Sequence, residues 1–347
     1  MSVSRLRQRT LKQLMNTVRT RRRRFSETVC SHDPTEIMVF ITNRCNFNCN
    51  TCPFTQPSPW SPAPGTPDIT VERFNAILGN HPGASMVGLV GGEPLLHSDL
   101  DVLITSAAAR KMTVNLSTNG SLLDESRAHS LLNLPLGYIN VSLDGVDADE
   151  FRRLRGGSAS VYATVRKNIA RLAGIRNSIG SPVKLYISFV TDRINLHRIP
   201  EFIRTGRDLG VDTVFCQSVL SYQCSEVTTG NDVLWDTPEI RRAIESINLP
   251  DDIGFVPPVP VPFDEHDGCR CVRCIHPFKL LAVDGAGNLS PCCVIPPHPR
   301  FGNLVENPRE WHDGSALQAF RMEMLDDDRD VSEEICLQCW ERYSMKE

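Results

Sequence analysis

The sequence lacks the features that would place the protein in a membrane, on a secretory route or on nucleic acid. Its 347 residues contain no run of about 18 consecutive apolar residues, so we expect no transmembrane segment. The N-terminal region has no apolar core of a signal peptide. The net charge of −4 provides no strong positive field for a nucleic acid. These absences predict a cytoplasmic protein without a nucleic-acid partner.

Cysteine, by contrast, is abundant. The chain has 13 cysteines, an odd number, and most of them occur in clusters. The clusters lie at residues 45–52, 269–274, 292–293 and 336–339, and the isolated cysteines are Cys30, Cys216 and Cys224. Without a secretory signal, clusters at ligand spacing favour metal binding over disulfide bonds.

The first cluster consists of Cys45, Cys49 and Cys52, which are spaced x3 and x2 and follow a short apolar run at 37–42. Thiolates are soft ligands that suit iron–sulfur clusters, zinc and Cu(I). Three of them can hold three corners of a cubane cluster and leave its fourth iron open for chemistry. Structural zinc usually takes four protein ligands, so zinc is the less favoured alternative for this triplet.

Residues 37–220 alternate between strand and helix patterns. Six apolar strands are separated by segments with helical periodicity. This alternation predicts an α/β fold with a parallel sheet, which is either doubly wound or curved into a barrel. Glycine-rich and polar residues follow three of the strands, at 91–94, 117–120 and 142–145. Such folds place their sites at the carboxyl ends of parallel strands.

In this order, the motifs resemble those of the radical S-adenosylmethionine (SAM) superfamily. The cysteine triplet resembles its cluster signature, and Gly91-Gly92-Glu93-Pro94 resembles the turn that meets the methionine amino group. Ser117 and Asn119 lie in a segment similar to the family's strand end near SAM. Ser142 and Arg155 resemble the pair that holds the SAM carboxylate.

The resemblance covers residues 37–220 and implies a partial (β/α)6 TIM-like barrel. It also implies a 4Fe–4S cluster on the three thiolates, SAM on the open iron, and a flavodoxin- or ferredoxin-type electron donor. The activity that follows is reductive cleavage of SAM to a 5′-deoxyadenosyl radical, which abstracts hydrogen from the substrate. One departure is Thr51, where the family usually has an aromatic residue, and we expect altered shielding of the cluster or adenine there.

The C-terminal cysteines resemble those of the SPASM and shorter twitch auxiliary domains. The four ligands that this resemblance implies for a second, closed 4Fe–4S cluster are Cys274, Cys292, Cys336 and Cys339. No cysteine lies between 293 and 336, so the pattern is the single-cluster form. Zinc is the alternative, because four thiolates that include a C-x2-C pair also suit zinc. Cys269, Cys271 and Cys293 receive no role, although Cys271 can replace Cys274 as a ligand.

The chain therefore divides into four predicted parts. Residues 1–36 form a basic extension with helical spacing, either an exposed helix packed on the domain or a patch for an anionic partner or membrane surface. Residues 37–220 form the partial barrel, and 221–268 form a linker or lid with several prolines. Residues 269–347 form a small cysteine-rich twitch/SPASM-like domain.

The reaction depends on the fate of the substrate radical. An auxiliary cluster that accepts an electron leads to dehydrogenation, whereas a thiol that donates hydrogen from the opposite face leads to epimerisation. The predicted hydrogen donors are Cys224, in the loop after the sixth strand, and Cys216, on that strand. The alternative for each is a buried thiol without a catalytic role, since cysteine is among the most buried residues.

The expected substrate is a small molecule with a sugar-like carbon. Peptide-modifying relatives often carry an N-terminal peptide-recognition domain, and the 44 residues before Cys45 do not show its pattern. We therefore predict an epimerase, or a dehydrogenase, that acts on a carbohydrate or glycosylated natural product. A peptide epimerase or thioether-forming enzyme is the alternative. Candidate substrate contacts in the loops are Tyr222, Glu226, Asp232 and His266.

Overall fold

The computed structural model describes residues 28–224, 232–248, 250–261, 274–326 and 331–339. The predicted N-terminal helix, Cys269, Cys271, Glu226 and His266 lie outside these residues. Within the described part, no helix is both long enough and apolar enough to cross a membrane.

The described structure is built on one sheet. Its strands are β1 (Glu36–Thr42), β2 (Met86–Gly91), β3 (Thr113–Thr118), β4 (Leu136–Ser142), β5 (Lys184–Thr191), β6 (Thr213–Ser218), β7 (Gly254–Val256), β8 (Leu280–Asp284) and β9 (Leu289–Ser290). Their order across the sheet is β7-β6-β5-β4-β3-β2-β1-β8-β9, and every neighbouring pair is parallel except β8 and β9. All six predicted strands are present.

Helices connect the strands, and local signals define many of their ends. The α-helices of the described residues are α1 (Val71–Asn80), α2 (Leu100–Ala109), α3 (Glu125–Asn133), α4 (Ala148–Arg155), α5 (Ala159–Ile179), α6 (Ile199–Leu209), α7 (Pro238–Glu245), α8 (His276–Lys279), α9 (Glu310–Asp313) and α10 (Ser315–Glu323). The side chain of Thr70 accepts a hydrogen bond from the N–H of Arg73 at the start of α1. Gly156 ends α4 in the left-handed conformation, with φ of 69°.

The order of the strands shows that the sheet is a partial barrel. From β1 to β6, each strand lies beside the next strand in the chain. Right-handed crossovers that always advance in one direction place all helices on one face, and the other face becomes the inside of a curved sheet. A doubly wound sheet instead reverses direction at a switch point. The predicted α/β fold with a partial barrel is therefore confirmed.

Strand register shows which side chains face the helices. Phe189 of β5 stacks on Phe202 of α6, with ring centroids 4.1 Å apart. Cys216 of β6 is the registered partner of Phe189 and lies on the same face, with 2% of its surface exposed. Ser142 and Ser188 pair on the opposite face, inside the barrel. The predicted donor Cys216 is thus buried between sheet and helices, away from the inside of the barrel.

The C-terminal region continues the same sheet. Strand β8 pairs in parallel with β1, and β9 pairs antiparallel with β8. The indole N–H of Trp311 in α9 donates to the carbonyl of Leu280 in β8 (3.2 Å). The buried guanidinium of Arg321 in α10 donates to the carbonyl of Thr28 (3.1 Å). These contacts join the cysteine-rich region to the barrel, and the predicted boundary at residue 269 remains a prediction.

Several elements are absent from the sequence-based description, among them α4, α7 and β7. Helix α4 has only eight residues, most of them charged, and its two large apolar side chains, Phe151 and Leu154, are too few to indicate a helix from the sequence. Helix α7 and strand β7 lie within 221–268, the predicted linker or lid. The Thr237 side chain accepts from the N–H of Ile240, and Pro238 occupies the first helical position. This cap and proline are a helix-start signal that the proline content of the segment obscures.

Candidate functional site

The cysteines of the first cluster meet in one cavity at the carboxyl ends of the strands. Cys45, Cys49 and Cys52 lie on the loop after β1, and their side chains line a cavity of about 170 Å³. The N–H of Phe47 donates to Sγ of Cys45 (3.4 Å), and such a bond favours the thiolate form. Three soft thiolates beside an open space fit a 4Fe–4S cluster with one exposed iron.

The same cavity gathers the residues predicted from the strand ends. Its lining includes Gly91, Gly92, Ser117, Asn119, Ser142 and Arg155. These residues come from the ends of β2, β3, β4 and α4, which the parallel sheet brings to one edge. Their individual contacts with SAM remain predictions. Their convergence on the thiol triplet makes this cavity the candidate SAM site.

The two glycines pack the cluster loop against β2. The N–H of Gly92 donates to the carbonyl of Thr42 (2.8 Å), and the N–H of Glu93 donates to the carbonyl of Arg44 (2.8 Å). A Cβ atom at Gly91 would collide with the backbone of Thr42, and one at Gly92 with that of Arg44. Glycine is therefore required here for the close approach of two backbone segments.

Glu93 makes its bonds within the chain. Its buried carboxylate accepts from the hydroxyl of Thr118 (2.6 Å), the N–H of Asn119 (2.7 Å) and the N–H of Leu95 (3.0 Å). Burial raises the pKa of Glu93, and these hydrogen bonds oppose the rise. Glu93 thereby ties the end of β3 to the segment after β2. A carboxylate offers further lone pairs, so Glu93 can still accept from the methionine amino group. That bond remains a prediction.

Arg155 places a positive charge at the cavity. Its Nε lies 2.8 Å from Oδ2 of Asp144, and its Nη2 donates to the carbonyl of Ser142 (2.9 Å). Its Nη1 lies 3.6 Å from Sγ of Cys49. Burial lowers the pKa of Arg155, but Asp144 and Cys49 outweigh burial and raise it above its ordinary value. A fixed guanidinium here can hold an anionic ligand, as predicted for the SAM carboxylate.

Two asparagines beside the cysteines hold the cluster loop in place, a role that the sequence analysis does not predict. The side-chain amide of Asn46 donates to the hydroxyl of Ser121 (2.8 Å), and its oxygen accepts from the side chain of Asn119 (2.8 Å). Asn50 donates to the carbonyl of Arg153 (3.0 Å) in the last turn of α4. The only sequence signal for these contacts is the recurrence of short amides between the thiols.

A second cavity, of about 270 Å³, adjoins the first. Both are lined by Cys49, Cys52, Phe54, Gly91 and Arg155. The second cavity also contacts Phe40, Thr51, Asp144, Tyr222, Cys293 and Val294. Phe54 stacks on Phe40 with ring centroids 5.5 Å apart, so an aromatic side chain shields this wall although Thr51 precedes the third cysteine. We refer to this space as the larger cavity, and it is the candidate substrate site.

The four predicted auxiliary ligands also converge. Cys274, Cys292, Cys336 and Cys339 line a small cavity of about 20 Å³. The N–H groups of Val294 and Ile295 donate to Sγ of Cys292 at 3.4 and 3.5 Å. Burial raises the pKa of Cys336 well above its ordinary value, as it raises the pKa of Cys52 to about 12. A bound metal must therefore displace these protons, and four thiolates with N–H···S bonds fit a closed cluster.

The predicted hydrogen donors line neither the larger cavity nor the candidate SAM site. Cys216 faces the helices, and burial raises the pKa of its thiol to about 12. Cys224 is half-buried, with Sγ 3.7 Å from the carbonyl oxygen of Tyr222. Cys293, which the sequence analysis leaves without a role, does line the larger cavity. Of the loop candidates within the described residues, Tyr222 lines this cavity and Asp232 does not.

Comparison with known proteins gives two domain matches. Residues 39–205 match the Radical SAM superfamily, and residues 274–340 match SPASM, an iron–sulfur cluster-binding domain. Pre-heme d1 synthase of Dinoroseobacter shibae is 27% identical over 61% of this chain and 50% of its own length. GTP 3′,8-cyclase of Moorella thermoacetica is 32% identical over 50% of this chain and 52% of its own length.

A third relative, PqqA peptide cyclase of Gluconobacter oxydans, is 28% identical over 52% of this chain and 48% of its own length. The chain thus spans about half the length of these curated relatives. The crystal structure of SuiB from Streptococcus suis aligns with a TM-score of 0.61 and 18% identity. This alignment covers 90% of this chain and 71% of SuiB, and at that identity it shows the fold alone.

Two matched domains and two converging sets of thiols lead to one conclusion. The domains imply SAM and two 4Fe–4S clusters, and the residues present at both sites fit these groups. The chain belongs to the radical SAM superfamily and carries a SPASM iron–sulfur domain in its C-terminal region.

Proposed function

We propose that the protein is a radical SAM dehydrogenase that oxidises a sugar-like alcohol carbon of a carbohydrate or glycosylated natural product. When bound, SAM and the first cluster supply a 5′-deoxyadenosyl radical that takes hydrogen from carbon, and the auxiliary cluster supplies an electron acceptor. Conversion of an alcohol to a carbonyl removes one hydrogen atom, one electron and one proton. In an enzyme with two clusters, the 5′-deoxyadenosyl radical takes the hydrogen atom and the auxiliary cluster accepts the electron.

The position of the larger cavity between the two thiol sets carries this proposal. Val294 lines both this cavity and the cavity of the four auxiliary cysteines. The hydroxyl of Tyr222 donates to the carbonyl of Val294 (2.8 Å), and Tyr222 lines the larger cavity too. Burial, followed by nearby thiols that include Cys292 and Cys52, raises the pKa of Tyr222. A substrate in this cavity is therefore one layer of side chains from the auxiliary thiols.

The lining of the larger cavity suits a single polar ring. Phe40 and Phe54 form an apolar wall for the carbon face of a sugar, and Thr51 and Arg155 supply polar contacts. Asp144 is the carboxylate of this lining and takes the released proton in our proposal. Ligand pockets usually measure roughly 300–1,000 Å³, so a cavity of about 270 Å³ favours one small group. The name of the relative GTP 3′,8-cyclase also refers to a sugar carbon.

Epimerisation is the second candidate, and one observation favours it. Cys293 lines the larger cavity, so its thiol can return a hydrogen atom to a substrate radical. In that case Cys293, rather than Cys224 or Cys216, is the donor. A peptide-modifying activity is a further alternative, favoured by the similarity to PqqA peptide cyclase. The larger cavity would then hold one amino-acid side chain.

Anaerobic turnover of the reconstituted holoenzyme in deuterated solvent separates these candidates. The assay contains SAM, a reductant and a panel of sugars, aminoglycosides and peptides, and products are analysed by mass spectrometry. Dehydrogenation gives a product that lacks two hydrogen atoms and is still formed by Cys293→Ala. Epimerisation gives a product with one carbon-bound deuterium, and Cys293→Ala abolishes it. Absence of 5′-deoxyadenosine with every substrate would contradict both proposals.

A further inference from the structure

Three metal-ligating side chains meet outside the cysteine sites. Asp33 precedes β1, His81 follows α1, and His312 lies in α9. One possible ligand atom of each residue lies within 4.8 Å of the other two. Oδ1 of Asp33 is 3.9 Å from Nδ1 of His81 and 3.8 Å from Nε2 of His312. Both distances are longer than a hydrogen bond.

Contacts on the outer side orient two of these groups. Oδ2 of Asp33 accepts from the N–H of Gly83 (2.6 Å), which directs Oδ1 towards the histidines. Nδ1 of His312 lies 2.8 Å from the carbonyl oxygen of Cys30. A carbonyl only accepts, so Nδ1 carries a proton, and Nε2 is the ring nitrogen that faces Asp33 and is left to bind a metal ion. Outer hydrogen bonds of this kind are typical of metal-binding imidazoles and carboxylates.

His81 independently points to a bound ligand. It is 1% exposed, and neither of its ring nitrogens has a hydrogen-bond partner among the described residues. A buried polar group without a partner costs free energy, and a metal ion bound to a ring nitrogen of His81 would offset that cost.

We propose that Asp33, His81 and His312 form a binding site for a divalent transition-metal ion, represented by Zn²⁺. Two imidazoles and one carboxylate, with one position left for water, are an established type of zinc ligand set. Ligands at 2.0–2.1 Å in a tetrahedron are about 3.3 Å apart, so Oδ1 of Asp33 needs to approach each histidine nitrogen by about half an ångström. The two histidine nitrogens lie within 4.8 Å of each other. Trp311 packs edge-on against His81, with ring centroids 6.3 Å apart, and forms an apolar wall of the site.

This site offers three protein ligands, one fewer than structural zinc usually has, but its place outside the reaction cavities favours a role in stabilising the fold. None of the three ligands lines the larger cavity or either thiol cavity. The site joins the segment before β1 to the loop after α1 and to α9, which are far apart in sequence. The N–H of Cys30 also donates to the carbonyl of His312 (3.0 Å), so the first and last of these segments are already in contact. An ion at this junction stabilises their docking without taking part in the radical chemistry.

The test uses the holoenzyme with both clusters reconstituted, because occupied thiols cannot compete for zinc. The protein is equilibrated with a zinc buffer, and zinc is measured by mass spectrometry in wild type, Asp33→Asn and His312→Gln. His129→Gln, which changes an exposed histidine, is the matched control. We expect one zinc ion in wild type and in His129→Gln and loss of that ion in the two site variants. Zinc should raise the melting temperature of wild type and His129→Gln, but not that of Asp33→Asn or His312→Gln.

X-ray absorption at the zinc edge of the wild type tests the same site without a variant. The proposal requires a shell of nitrogen and oxygen at about 2.0–2.1 Å with imidazole scattering and no sulfur. A zinc–sulfur shell at about 2.3 Å as the sole environment would place the ion on thiols and overturn the proposal. Equal zinc content in wild type and His312→Gln, or no retained zinc in wild type, would also overturn it.

Discussion

The guanidinium of Arg155 lies 3.6 Å from Sγ of Cys49. This contact joins the end of α4 to the cluster loop and places a partly buried positive charge beside the thiol of Cys49. Asp144, in the segment after β4, holds the same guanidinium at 2.8 Å. The charge therefore stays in position before any ligand binds, and it favours both a thiolate and an anionic group in the candidate SAM site.

Arg155→Met should impair SAM cleavage while the cluster remains. A hydrogen bond to a charged group is worth about 1.5–3 kcal/mol, so we expect roughly a 10- to 100-fold loss in the efficiency of 5′-deoxyadenosine formation. Iron content should stay unchanged. The matched control is Arg152→Met, because Arg152 lies on the same helix with its side chain 56% exposed. Equal rates of 5′-deoxyadenosine formation in the two variants would contradict a role of Arg155 in binding SAM.

Gly92→Ala should disrupt the first cluster site. The added Cβ would collide with the backbone of Arg44 and break the packing of the cluster loop on β2. We expect a lower melting temperature and loss of about four irons per chain, the content of one cluster. Gly174→Ala is the control, since a Cβ atom there meets no neighbour within 4 Å. It should be neutral or slightly stabilising, because alanine favours helix over glycine.

Iron stoichiometry should separate the two thiol sets. Wild type reconstituted under anaerobic conditions should hold about eight irons, and each set should account for about four. The double variant Cys45→Ala/Cys49→Ala should retain four irons and form no 5′-deoxyadenosine. The double variant Cys336→Ala/Cys339→Ala should also retain four irons but still cleave SAM. About four irons in wild type would contradict the auxiliary cluster.

His81 should make the zinc-free protein less stable in mild acid. The pKa of His81 is about 4 in the folded protein and 6.5 in the unfolded chain, so the unfolded chain binds the proton more tightly. The contribution of neutral His81 is complete above pH 6.5 and is lost as the pH falls towards 4. Between pH 7.5 and 5.5 the loss should be roughly 1–2 kcal/mol. His81→Phe should abolish this part of the pH dependence of the melting temperature, whereas His129→Gln should retain it.

The sequence predicts the elements that local patterns define. The spacing of Cys45, Cys49 and Cys52 and the glycine-rich strand ends are contiguous motifs, so they indicate the cofactor site without tertiary information. Alternating strand and helix periods likewise predict the parallel sheet, because a crossover helix is required between parallel strands. Sequence patterns do not predict helix α4 or the α7–β7 segment, because these elements are short and contain few apolar residues.

Local sequence patterns thus indicate the chemistry of the thiols and the alternation of strands and helices. Long-range packing shows which of the remaining cysteines lines the candidate substrate site: Cys216 is on the helix side of its strand, whereas Cys293 lines the larger cavity. It also decided that Asp33, His81 and His312 meet. The physical reason is that side-chain direction and long-range proximity depend on strand register and on the packing of distant segments, which no local pattern encodes.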